Sequence, residues 1–408
     1  MVGGAAESAL TLAPEANAAK ANAAKASAPE ASARRLGHRP VLDGLRGIAV
    51  LLVILDHTGV VRNGYIGVDL FFALSGFLIT SLLYEEWERR ARISLRGFYE
   101  RRARRLLPAL LLAIVMFFLL VSFVEPVPGW SPIAKALCSL LFVNNWIVGL
   151  GHSTVLSGIS PTWSLAEEEQ FYLLWPVVLV LLLRYKVPPL VVLGLLLASS
   201  VALVVAVDHI RQLIPHYSFY YSPLDRAAEL LFGCAGAVVW HNRLMPSVAD
   251  LPGLTLRVRT ALVSHRQLIR GVLALVLITV FTWLLLFVRL DDEREIYLSA
   301  AALAVAVIVP LIDAPGSLPA RVLSCRPLRF LGRVSYCLYL IHLLVRDAIQ
   351  HYFPGQSVYF NFVTTLAASL VLATISWRLL ESKVIAAGRA RRTTAARAPR
   401  GARLELAG

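Results

Sequence analysis

The segment "RGIAVLLVILDH", Arg46–His57, places an arginine and a histidine at the two ends of a run otherwise suited to lipid. The two positions are 11 residues apart. At about 100° per residue this is three turns and a further ~20°, so in a helix they share one face, about 16 Å apart along the axis. Asp43, three residues before Arg46, falls near the same face. A charged side chain inside a spanning helix costs at least ~2.5 kcal/mol on insertion scales, so such a stripe must look into protein or water. Two readings stand side by side. Either His57 is a packed core residue or interfacial anchor and Arg46 reaches back to the membrane surface, or both line a polar cavity.

The rest of the chain is built for a bilayer. Of its 408 residues, 57% are hydrophobic and only 16% charged, with a mean hydropathy of +0.66. Soluble domains average nearer a quarter charged. Apolar runs long enough to cross a hydrocarbon core recur from residue 41 to residue 380. The expected fold is all-α, a polytopic transmembrane bundle of about ten helices, near 41–61, 65–84, 106–124, 169–184, 187–207, 226–241, 271–288, 297–313, 335–352 and 358–380. The net charge of +14 sits on arginines that flank these runs, as membrane topology requires. No basic patch with interleaved aromatics stands apart from them, so nucleic acid is not an expected partner. The four cysteines are scattered without metal-like spacing, and no metal site is expected.

Charge alternates between the connections. Residues 85–105 hold eight arginines, 242–270 five, 314–333 four and the tail 385–408 six. The intervening loops are poor in basic residues or acidic, as in "DDERE" at 291–295. Ten crossings with both termini in the cytoplasm satisfy the positive-inside rule at every basic loop. The run 133–150, "IAKALCSLLFVNNWIVGL", breaks this pattern, because an eleventh crossing there would turn every later basic loop outward. With Lys135 and the pair Asn144–Asn145, it reads as a re-entrant or interfacial segment on the outer side. Residues 1–38 are rich in Ala, Ser, Asn and Lys and read as a disordered cytoplasmic tail. Residues 39–384 are the transmembrane domain, and 385–408 read as a second, basic cytoplasmic tail.

Six stretches in order carry a resemblance: "LDGLRGIAVLLVILDH" at 42–57, "GYIGVDLFFALSGFLIT" at 64–80, "FYERRARRLLPAL" at 98–110, "TWSLAEEEQFYLLWP" at 162–176, "LGRVSYCLYLIHLLV" at 331–345 and "WRLLE" at 377–381. Together they make the chain similar to the acyltransferase-3 family of integral membrane O-acyltransferases over about residues 40–382. The resemblance implies transfer of an acyl group, usually acetyl from acetyl-CoA, to a hydroxyl. It implies a donor substrate and no permanently bound cofactor. His57 corresponds to the essential first-helix histidine and Arg46 to the arginine before it. Arg101, Arg102 and Arg105 correspond to the family's double arginine and the one three residues on. Glu168 matches the glutamate of the "WSLxxE" motif, Ser75 lies in the "FFxxSGF" motif, and His342 matches the ninth-helix histidine; Asp69, Ser75, Trp163 and His342 are the expected substrate-binding residues. The run of three glutamates leaves open which of Glu167, Glu168 and Glu169 faces the site.

The chemistry fits those residues. Acyl transfer from a thioester needs a base for the acceptor hydroxyl and donors for the developing oxyanion. Histidine exchanges protons at neutral pH, which suits His57 as the base. Asp56 points about 100° away on the same helix, so Glu168 or Asp69 from another helix is the expected orienting carboxylate. Coenzyme A carries phosphates, and Arg46, Arg101, Arg102 and Arg105 are the expected dock for it; the same arginines also read as topology determinants. Trp163, Trp146, Asn144 and Asn145 read as an outer aromatic belt with polar caps, or as an acceptor site with Trp163 stacking on a sugar. Asp225 and Arg226 read as a structural ion pair. The expected acceptor is a sugar or cell-envelope glycan hydroxyl, with a macrolide as the alternative. A proton-coupled transporter is the competing class, disfavoured because no inverted repeat is visible. Oligomeric state stays open.

Overall fold

The computed structural model describes residues 36–123, 130–150, 158–214, 218–242, 244 and 315–397, with scattered positions between 268 and 312. The chain divides into two units between His38 and Arg39, and the helices all belong to the second. Among the described residues every regular element is helical. In chain order they are α1 (Pro40–His57), α2 (Ile66–Arg90), α3 (Leu95–Phe123), α4 (Pro132–Leu140), α5 (Asn144–Gly149), α6 (Thr162–Arg184) and α7 (Pro189–Leu213). They continue as α8 (Pro223–His241), α9 (Leu318–Leu323), α10 (Arg326–Tyr352) and α11 (Val358–Ser376), then a π-helical turn (Trp377–Glu381) that runs into α12 (Ser382–Arg397).

Proline opens several of them. Pro40, Pro132, Pro189 and Pro223 stand at first helical positions, where the missing N–H leaves no bond unmade. The side chains of Ser131, Ser222 and Ser357 accept from Ala134 N, Leu224 N and Phe360 N, capping α4, α8 and α11.

Five described helices are long and apolar enough to cross a membrane: Ile66–Arg90, Leu95–Phe123, Pro189–Leu213, Arg326–Tyr352 and Val358–Gly388. They separate into inner and outer helices. In α2 the apolar window is 83% buried within the protein, and in α7 only 22%, with Leu195, Val201 and Val205 left outward on an apolar face. An apolar outer face of that extent suits lipid. The remaining long helices, α1, α6 and α8, have 18, 23 and 19 residues. Length does not disqualify them. Each carries at least three charged residues, and most of those side chains turn inward. The protein is a multi-pass membrane protein.

The expected count of ten crossings is not reproduced by the five. The two expected at 271–288 and 297–313 fall largely outside the described residues. Helix starts also differ. Helix α3 begins at Leu95, 11 residues before the expected 106, because its arginine-rich first turns are helical too. Arginine is a good helix former, and hydropathy registers only the apolar part. The same reasoning corrects the C-terminal tail, since 385–397 continue as helix α12 where disorder was expected; residues 398–408 lie outside the described ones. The N-terminal tail through residue 35 likewise lies outside them.

Residues 133–150 form two short helices, of 9 and 6 residues. At 1.5 Å per residue these span only about 14 and 9 Å, well short of a ~30 Å core. The break falls at Phe142, which takes a left-handed φ of 55°. Its carbonyl accepts from Gln170 Nε2 at 2.7 Å, and Asn145 Nδ2 donates to Glu167 Oε1 at 2.8 Å. Side chains of α6 thus satisfy the irregular backbone and pin the segment to the bundle, the condition under which such backbone is tolerated at membrane depth.

Helices α1 and α10 run parallel and touch through glycines. A Cβ on Gly47 would fall on the carbonyl of Leu328, and one on Gly332 on the carbonyl of Asp43. Only hydrogen at those two positions lets the backbones approach this closely.

Candidate active site

Three polar assemblies sit on this frame. The first is a cavity of about 80 Å³, whose charged lining is Arg46 from α1, Arg102 and Arg105 from α3, and Glu168 from α6, with Ser75 from α2 among its uncharged polar residues. That volume is several times what a single water requires. Its apolar wall includes Phe71, Phe72 and Leu165, and Tyr339 of α10 also lines it.

The three glutamates of α6 diverge, as a 100° step demands. Glu167 turns to Asn145. Glu168 faces the cavity and accepts from Ser75 Oγ at 2.6 Å. Glu169 accepts from both Nε and Nη2 of Arg102, at 2.8 and 2.6 Å. Arg102 is held further by the ring of Tyr172, 3.3 Å below its guanidinium, and by Glu168 Oε2 at 3.7 Å. Arg102 is thus fixed in place by its own protein. Arg46 and Arg105 differ: among the described residues neither makes a hydrogen bond or ion pair, and both face the cavity. Two guanidiniums with open donors in a confined space suit a phosphate-bearing ligand.

Arg101 does not join them. It pairs with Glu86 at the far end of α2, at 3.0 Å and partly exposed, because on a helix it points about 100° away from Arg102.

The second assembly stands at the other end of α1. His57 Nδ1 lies 2.8 Å from His342 Nε2, with the rings inclined by only 21°. His342 Nδ1 lies 2.6 Å from the carbonyl of Tyr339. Arg346, one turn past His342, donates from Nη1 to the carbonyl of His57 at 3.0 Å and pairs with Asp347. Neither expected carboxylate stands beside His57 Nδ1: Glu168 belongs to the cavity, and Asp69 lies elsewhere.

Asp69 is fully buried and accepts from Arg226 Nη1 at 2.9 Å; Glu229 accepts from the same nitrogen at 2.6 Å. Arg226 therefore bridges α8 to α2, a wider role than a pair with its neighbour Asp225. The rings of Tyr220 and Trp163 lie 4.1 and 5.5 Å from its guanidinium. Trp163 is buried among Phe72, Tyr220 and Tyr221, so it is part of the core rather than of an outer aromatic belt. Asn144 and Asn145 are likewise fully buried, while Trp146 is exposed.

Several of these partners were legible only in retrospect. Arg346 follows His342 by four residues and Glu229 follows Arg226 by three, spacings that put each pair on one helix face. Tyr172 and Tyr339 gave no such signal, because a tyrosine in an apolar run reads as core.

Fold and site define a class: a multi-pass helical membrane protein with an arginine-lined cavity and, at the other end of α1, a histidine pair shared between α1 and α10. The chain belongs to the acyltransferase-3 family, whose model, described as an acyltransferase domain, matches residues 39–380. It is 33% identical over 363 residues to the peptidoglycan O-acetyltransferase OatA of Listeria monocytogenes, an alignment that covers 85% of this chain and 55% of that protein. It is 31% identical over 359 residues to the O-acetyltransferase OatA of Staphylococcus aureus, covering 85% and 57%. The chain thus spans about half the length of these curated relatives. No solved structure matches it.

Proposed function

We propose that the protein is a membrane O-acetyltransferase that moves an acetyl group from acetyl-CoA to a hydroxyl of a cell-envelope glycan, with both chain termini in the cytoplasm. The observation that carries this reading is the placement of Arg46 and His57 on one helix. Arg46 helps line a cavity with unpaired guanidiniums, and about 16 Å further along the axis stands a histidine with a hydrogen-bonded Nδ1. The basic loops support a cytoplasmic arginine end, the side on which acyl-CoA is made. Arg46, Arg102 and Arg105 then hold the phosphates of the donor, and its thioester arm extends past Tyr339 toward His57.

At His57 the acceptor hydroxyl gives its proton to the imidazole as its oxygen attacks the thioester carbonyl. The C–S bond then breaks, the ester remains on the acceptor, and the departing sulfur receives the proton from the imidazolium. Proton and acyl group balance, with free CoA as the second product. A positioned base of this kind contributes roughly 10²–10⁴-fold to rate. A glycan is favoured over a macrolide by the names of the relatives, both of which are O-acetyltransferases and one of peptidoglycan.

The test is to reconstitute the purified protein in liposomes with labelled acetyl-CoA and to offer soluble peptidoglycan fragments, other envelope glycans and a macrolide in parallel. Alkali-labile acetyl on the glycan is the expected result. Acetyl on the macrolide alone would replace the acceptor, and no acetyl on any hydroxyl would overturn the reading.

A further inference from the structure

Which nitrogen of His57 is free to act depends on what the others touch. The carbonyl of Tyr339 can only accept, so His342 Nδ1, 2.6 Å away, carries the hydrogen. A neutral His342 therefore presents a lone pair at Nε2. That lone pair faces His57 Nδ1 at 2.8 Å, so His57 Nδ1 is the donor between them. The remaining lone pair of the two rings is on His57 Nε2.

The backbone of His57 is fixed from the same helix. Arg346 donates to its carbonyl at 3.0 Å, at the C-terminal end of α1, where a cation is favourable and an orphan carbonyl needs a partner. Arg346 is itself held by Asp347 Oδ1, at 3.0 Å from Nε and 2.6 Å from Nη2. One turn of α10 thus grips both the ring and the main chain of His57. The glycine contact of α1 with α10 sets the register in which this happens.

We infer that His342 and Arg346 are positioning residues that lock His57 in the tautomer whose basic nitrogen is Nε2. The resemblance places His342 among substrate-binding residues; its ring is instead committed at both nitrogens, to Tyr339 and to His57. This rests on His57 as the base of the proposed transfer. During transfer the proton moves from the acceptor hydroxyl to His57 Nε2 and then to the leaving sulfur, while His342 keeps the same proton throughout. A neutral ring here occupies the place that a carboxylate takes in a Ser-His-Asp triad. It leaves the pair without a buried negative charge next to the Arg346–Asp347 pair.

The tautomer is directly readable. The full-length protein, labelled with ¹⁵N-histidine in nanodiscs, has nine histidines, and loss of one signal in His57→Gln assigns His57. Wild type is expected to show a protonated Nδ1 and an unprotonated Nε2. His342→Phe keeps a ring but removes the acceptor, so His57 should redistribute toward the Nε2–H form. Its kcat should fall by about 10²-fold or more, with the KM for acetyl-CoA within about twofold. His342→Gln, whose carbonyl accepts from Nδ1–H, should restore both tautomer and part of kcat. A wild-type His57 protonated at Nε2, or a tautomer unmoved by His342→Phe, would overturn the inference. The spectrum needs no turnover, so a protein with the expected tautomer but no transferase activity would sink the functional reading alone.

Discussion

Gly47 of α1 and Gly332 of α10 meet backbone to backbone, and ten residues beyond each of them stand His57 and His342, 2.8 Å apart. Equal offsets on two parallel helices explain how side chains 285 residues apart in sequence come into register. The glycines are as much a part of the site as the imidazoles are.

A side chain at Gly332 should therefore act at a distance. In Gly332→Ala the new Cβ falls on the carbonyl of Asp43, so the helices must separate, at a cost of about 1–3 kcal/mol. The expected result is a lower thermal midpoint in detergent together with at least a ~10-fold loss of acetyl transfer. Unchanged transfer would mean that the histidine pair tolerates a shifted helix.

The three adjacent glutamates should give three different phenotypes. Glu169→Gln removes the nearer of the two carboxylates beside Arg102, an interaction worth about 1.5–3 kcal/mol, and should raise the KM for acetyl-CoA by roughly 10–100-fold. Glu167→Gln keeps an acceptor for Asn145 and should leave KM unchanged. Glu168→Gln alters the cavity wall beside Ser75 and should fall between them. Steady-state kinetics on the three variants checks the order.

The neighbouring arginines should separate in the same assay. Arg101 is engaged with Glu86 at a partly exposed position, where a pair contributes up to about 1 kcal/mol, so Arg101→Ala should scarcely alter donor affinity. Arg105→Ala removes an open guanidinium from the cavity, and donor KM should rise at least ~10-fold.

Arg226→Met is expected to act on the fold before the chemistry. It leaves Asp69 and Glu229 buried without their shared cation, which typically costs about 3–5 kcal/mol. Yield of monodisperse protein and thermal midpoint should both fall. Adding Asp69→Asn and Glu229→Gln to the same chain should recover part of the loss, since the uncompensated charges are then gone.

Much of this was legible in sequence. Hydropathy and loop charge pointed to a helical membrane fold, and topological parity set 133–150 apart from the spans; the structure breaks that run into two short helices anchored by Gln170 and Glu167. Helical phase put Arg46 and His57 on one face. What stayed hidden were contacts between helices: no local pattern tells that Asp69 meets Arg226, 157 residues away, or that His57 meets an imidazole rather than a carboxylate. Hydropathy also undercounts helix where arginine and alanine carry it, as in the first turns of α3 and throughout α12.

If His57 is the base of an acetyl transfer fed from the arginine cavity, its removal must stop the release of CoA. The quantity to measure is CoA thiol released from acetyl-CoA by the purified protein, with and without glycan acceptor, for wild type and His57→Ala. Acceptor-dependent release is expected in wild type, with a loss of at least ~10²-fold in the variant at an unchanged thermal midpoint. Equal acceptor-dependent release from both proteins would contradict the role of His57.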